Sequence, residues 1–195
     1  MTHMTHMTHL SNPDTDLSNG IVALLSLCDG FHEEAEVRAA AEPITPDAIP
    51  APFHKLLVHR EHMTTTLEEL HGGAVALQVL RRRHQGDDYA REILLTLPGS
   101  GKVVEFGIVR MDLRLITPEA RSEILAGEAP LGDILIRHHV MRRIDPKWYF
   151  RVHQESCLAQ AFGSQPSDDF FGRLGVIHCN GQPVIKLLEV VADVR

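Results

Sequence analysis

Cysteine is scarce in this sequence. There are three, Cys28, Cys157 and Cys179, and no two form a C-x-x-C pair. An odd, dispersed set argues against a disulfide framework or a zinc ribbon, so a reducing compartment, the cytoplasm, is the expected location. Long apolar runs are missing as well. None reaches the roughly 18 residues that a membrane-spanning helix needs. The apolar stretch Ile21–Cys28 is short and preceded by acidic rather than basic residues, unlike a signal peptide. Positive charge is also in deficit: 19 Lys and Arg stand against 26 Asp and Glu, a net charge of −7. Such a chain gains nothing from a phosphate backbone, so neither DNA nor RNA is an expected partner. Arg38 is the sole Lys or Arg in residues 1–54, which leaves that segment without a grip on DNA. A small anion held in a local cationic pocket remains compatible with the bulk charge.

The remaining composition suits one domain. The chain has 195 residues, 44% of them hydrophobic. A chain of this size buries roughly 70% of its unfolded surface and needs no metal or disulfide to fold. Residues 1–16 open with three Met-Thr-His repeats and carry no apolar period, which predicts a flexible His-rich tail ahead of a domain over 17–195. Caps at Asp14 and Ser18 predict a helix carrying Ile21, Leu24, Leu25 and Leu27. Four prolines in residues 39–53 predict an extended connector, with strands and turns from Leu56 onward. Met63, Leu67 and Leu70 recur at helical spacing, closed by Gly72-Gly73. Strands are expected over 74–83, 89–97 and 103–113, then short helices after Thr117-Pro118 and at Leu131. A strand over 140–152, interrupted by Pro146, precedes a hairpin of 170–179 and 183–194 around Asn180-Gly181. The sum is an α+β single domain: an antiparallel sheet with helices packed on one face.

Two charges fall on apolar faces. Strand alternation puts Glu189 with Ile185, Leu187 and Val191, and Arg91 with Tyr89, Ile93, Leu95 and Leu97. A buried carboxylate neutralises or meets a cation, and a buried guanidinium seeks a bidentate carboxylate. Both are therefore candidate site residues, and a structural Arg91–Glu189 ion pair is the plainer alternative.

Other constellations are weaker. The pair His59 and His62, the adjacent His138-His139, and the tail residues His3, His6 and His9 match no metal-binding spacing, so no metal and no cofactor is expected. Arg81-Arg82-Arg83 reads as a solvated strand end, with Arg81 as a possible wall of an anion pocket. Gly99-Ser100-Gly101 is a turn rather than a phosphate loop, and Asp168-Asp169 is expected in an exposed loop.

Several segments, in order, resemble the chorismate pyruvate-lyases. Tyr89-Ala-Arg91-Glu-Ile-Leu-Leu95 is similar to the family's arginine-bearing strand, and Ala129-Pro-Leu131-Gly132-Asp-Ile-Leu135 to its Pro-Leu-Gly helix start. Glu61-His62-Met63-Thr64-Thr65 resembles the segment where a methionine lines the site. Phe171-Gly172-Arg173 and Asn180-Gly181-Gln182-Pro183 precede Glu189 as related motifs precede the family's catalytic glutamate. The resemblance covers about residues 55–195. It implies a chorismate lyase-like fold and conversion of chorismate to 4-hydroxybenzoate and pyruvate without a cofactor. It implies that Arg91 binds a substrate carboxylate, that Glu189 manages the proton, and that Met63, Leu131 and Gly132 complete the pocket. The implied partner is a small anionic aromatic or cyclohexadienyl substrate. The sequence departs from the family at Gly107-Ile108, where many members carry Gly-Arg, and the Pro183-to-Glu189 spacing is one residue longer than in some. The alternative reading is a non-catalytic small-molecule-binding sensor domain of the same fold, or a divergent enzyme acting on another carboxylate.

Overall fold

The computed structural model describes residues 13–163 and 170–192, with side chains from Leu17. The expected tail therefore lies outside the described residues, apart from a first helix that begins at Pro13. The segment holding Asp168 and Asp169 lies outside them too.

Among the described residues, seven strands form one antiparallel sheet. They are β1 (Ala41–Ile44), β2 (Ala76–Gln85), β3 (Asp88–Thr96), β4 (Val103–Asp112), β5 (Arg142–Val152), β6 (Phe170–Cys179) and β7 (Gln182–Val191), in the order β1-β5-β6-β7-β4-β3-β2. The α+β, single-domain, antiparallel architecture expected from the sequence is the one observed. The β6–β7 turn places Asn180 at φ 51° and Gly181 at φ 83°, the left-handed pair that a tight hairpin turn of this twist requires.

The helices are α1 (Pro13–Cys28), α2 (Glu34–Ala40), α3 (Ala51–Leu57), α4 (Met63–His71), α5 (Pro118–Ala126) and α6 (Leu131–Arg137). At α5, the Thr117 side chain accepts a hydrogen bond from the Ala120 N–H, with Pro118 in the first turn. The expected helix layer holds α3 to α6. A second, thinner layer of α1 and α2 lies opposite, because the central strands are apolar on both faces. Phe106, Ile108, Leu188 and Val190 pack with Leu24, Leu27 and Val37 on the α1 side. Ile185 and Leu187 pack with Ile124 and Ile134, and Val191 with Leu57 and Leu67, on the other. Burying both faces removes far more apolar surface from water than one helix layer could.

The expected connector over 39–53 is corrected. It contains edge strand β1, paired with β5 from Ala41 opposite Val152 to Ile44 opposite Tyr149. An edge strand tolerates Pro43, since the missing N–H faces away from a partner. Pro50 and Pro52 lie at the start of α3, where the first N–H groups have no helical acceptor anyway. Leu56 and Leu57 are thus the buried end of a helix rather than the opening of the strand region.

Candidate active or binding site

The centre of the sheet carries an unusual set of side chains on the α3–α6 face. Register aligns three rows across β3, β4, β7 and β6. The first is Leu95–Glu105–Val191–Phe171, the next Ile93–Gly107–Glu189–Arg173, and the third Arg91–Val109–Leu187–Gly175. Alternation puts every one of these side chains on the same face. The start of α4, with His62, Met63 and Thr64, and the start of α6, with Pro130, Leu131 and Gly132, form the roof. Between floor and roof is a cavity of about 50 Å³, room for roughly a few waters or a carboxylate group. Gly107 opens the floor: a Cβ there would lie 3.1 Å from Ile93 Cδ1 and 3.2 Å from Glu105 Oε1. Gly132 does the same for the roof, where a Cβ would meet the His62 ring at 3.2 Å.

Arg91, Glu189, Met63, Leu131 and Gly132, the five residues singled out in the sequence, all line this one cavity. The structure does not pair the two charges with each other. Glu189 is held by Arg173, whose Nε donates to its Oε2 at 2.5 Å. Arg173 also donates to the carbonyls of Leu57 and His59, each at 3.0 Å, and of Glu61 at 3.3 Å. That cation is saturated, and it ties the end of α3 and the following loop to the sheet.

Arg91 is in the opposite condition. It is 1% exposed, and its Nε and Nη1 are buried with no hydrogen-bond partner among the described residues. No carboxylate forms an ion pair with it there. Burial pulls its pKa down, eased somewhat by the neighbouring Tyr89 phenol. A guanidinium nevertheless stays charged inside proteins, so Arg91 is an uncompensated buried cation facing a cavity.

Glu105 completes the set and was not singled out in the sequence. It is 4% exposed, and its Oε2 has no partner among the described residues. Burial, and then the nearby Glu189 carboxylate, push its pKa well above the usual carboxylate range, with Arg173 opposing. The shift favours the protonated form, which can donate a hydrogen bond. Beside it, His62 is pushed down to about 4 by burial and by Arg142 and Arg173, so it is neutral and accepts from Arg142 Nε at 2.5 Å.

Neither Arg81 nor Arg110 reaches this site. Register slips between Val79 and Arg81, which turns Arg81 to the α1 side. There it donates to Glu92 at 3.0 and 2.6 Å and to the Phe31 carbonyl at 2.5 Å. Arg110, the arginine nearest the Gly107-Ile108 departure, also faces away, donating to the carbonyls of Ser26 and Asp29 at 3.1 Å each. The extra residue before Glu189 is absorbed by a register shift after Ile177, which leaves Val184 unpaired and keeps Glu189 on the cavity face.

No protein-family model and no curated protein matches the sequence. Among solved structures, the ligand-binding domain of a protein described as a GntR-family transcriptional regulator from Bordetella bronchiseptica aligns with a TM-score of 0.47 at 13% identity. The alignment covers 60% of this chain and 85% of that one. The effector domain of PhnF from Mycobacterium smegmatis aligns with a TM-score of 0.47 at 14% identity, over 67% of this chain and 87% of that domain. Against the longer PhnF chain, the TM-score is again 0.47 and this chain spans 64% of the length. Likeness at this level carries no argument about what this chain does. No helix among the described residues is long and apolar enough to cross a membrane.

Proposed function

We propose that this chain is a binding domain for a small organic acid, acting as a sensor rather than as an enzyme. The observation that carries the reading is Arg91, a buried guanidinium with two unpartnered nitrogens lining a cavity. A carboxylate is the group that best neutralises such a cation and accepts its charge-assisted hydrogen bonds. The apolar body of the ligand would rest on Ile93, Leu131 and Leu187, and the Glu105 proton would reach a ligand oxygen. A ring-sized ligand exceeds the present cavity, so α4 and α6 would part slightly to admit it. That coupling of ligand to helix position is what a sensor needs. Calorimetric titration with benzoate, 4-hydroxybenzoate and short aliphatic carboxylates tests the reading. Saturable binding of at least one is expected. Failure of every carboxylate, with binding of neutral or cationic analogues instead, would contradict it.

One observation favours a second reading, the cofactor-free conversion of chorismate to 4-hydroxybenzoate and pyruvate. Glu105, whose burial favours its protonated form, lines the same cavity as the Glu189–Arg173 pair, so two carboxyl groups flank the same space. Loss of pyruvate aromatises the ring, and the protein would need only to orient the substrate and supply or remove one proton. Mixing chorismate with the protein and measuring pyruvate separates the readings. The sensor reading expects no release above the uncatalysed rate.

A further inference from the structure

On the opposite face of the sheet, the turn after α1, helix α2 and the loop after β5 bring His32, Glu36 and Cys157 together. One donor atom from each lies within 4.8 Å of the other two. We propose that these three side chains form a divalent-metal site of the zinc class, separate from the Arg91 cavity. An imidazole, a thiolate and a carboxylate make a mixed nitrogen, sulfur and oxygen set that suits zinc better than magnesium or calcium.

Three further features support a ligand there. His32 Nε2 lies 2.8 Å from Glu92 Oε2, which leaves Nδ1 as the metal-facing donor. Glu92 is 4% exposed and is itself held by Arg81. A carboxylate behind a ligating histidine fixes the ring and its tautomer, the usual support of a metal-bound imidazole. Next to Cys157 is an opening of about 320 Å³ that Glu36, His153 and Ser156 also line, with space for a fourth ligand. The Ser156 Oγ is buried there without a partner among the described residues and could bond a metal-bound water or anion. Donors in a tetrahedral zinc site lie roughly 3.3–3.8 Å apart, given the bond lengths. The exposed Glu36 can close the difference by changing rotamer. Binding releases to solvent the Cys157 thiol proton and the second imidazole proton of His32, whose pKa the Cys157 and Glu92 contacts raise to about 9, and the thiolate and carboxylate balance the two charges of the ion. Three protein ligands with an open position describe a site that can bind a further small ligand, rather than a closed structural one.

The test uses the full chain with His3, His6 and His9 changed to alanine, so that the amino-terminal imidazoles do not compete. After chelator treatment, cobalt(II) is titrated, followed by zinc. One equivalent of cobalt should raise the ultraviolet thiolate-to-cobalt charge-transfer band, and zinc should abolish it by displacement. Cys157→Ser should eliminate the band, Cys179→Ser should leave it, and His32→Ala and Glu36→Ala should each weaken binding about tenfold or more. Glu36 is exposed, so its variant reports on the site even if Cys157→Ser fails to fold. Absence of the band, its survival in folded Cys157→Ser, or unchanged affinity in Glu36→Ala would overturn the proposal.

Discussion

Arg173 and Glu189 face each other across the β6–β7 hairpin and meet at 2.5 Å, and this pairing leaves Arg91 without a carboxylate. Two buried arginines on one sheet face thus have opposite roles. Arg173 spends its donors on Glu189 and three backbone carbonyls, whereas two nitrogens of Arg91 have no partner among the described residues.

The two arginines should separate on truncation. Arg173→Ala strands a buried carboxylate and three carbonyls, which typically costs about 3–5 kcal/mol of stability. Arg91→Ala removes a cation with no ion-pair partner among the described residues, so its stability should be unchanged or slightly higher. Urea unfolding of both variants checks this. Equal losses would show that Arg91 is structural.

Glu105→Gln should alter the pH dependence of stability. The folded-state pKa of Glu105 is raised, chiefly by burial, so the unfolded chain loses this proton first as pH rises. Stability contributed by the protonated form is complete below about 4.5 and declines as pH climbs toward the folded value. Glutamine keeps the shape and carries no proton to lose. Its melting temperature should therefore gain on the wild type from pH 5 to pH 8. Parallel curves would show that Glu105 is ionised in the folded protein.

His62 works in the other direction. Its pKa falls from 6.5 to about 4 on folding, so the unfolded chain takes up the proton first as pH falls. Stability is complete above 6.5 and declines toward pH 4, by at most about 3 kcal/mol. His62→Gln should flatten that limb of the stability profile. A variant that keeps the full slope would place the titrating group elsewhere.

Arg91 and Glu189 were legible from alternation alone, because β3 and β7 are regular where they stand, whereas Met63, Leu131 and Gly132 came from the family resemblance. The partner of Glu189 was not. Counting outward from the Asn180-Gly181 turn sets Arg173 opposite Leu188, with its side chain on the wrong face. The bulge at Val184 shifts the register by one and brings Arg173 to Glu189. A second bulge, at Leu80, moved Arg81 off the face that its strand pattern assigned. Bulges leave no clear mark in a single sequence. Glu105 had a weak signal: a lone acid between apolar residues, two positions before a strand glycine. The helix α3 was hidden by prolines that read as a connector but serve as helix starters.

The central claim is that the unpaired Arg91 guanidinium anchors a carboxylate, and titration of wild type and Arg91→Ala with the same small carboxylates tests it most directly. The account predicts that the variant folds with a melting temperature at or above that of the wild type, and that binding weakens by about 2–5 kcal/mol, the usual loss when one partner of a buried charge pair is truncated. A folded Arg91→Ala protein that binds the same carboxylate with undiminished affinity would contradict it.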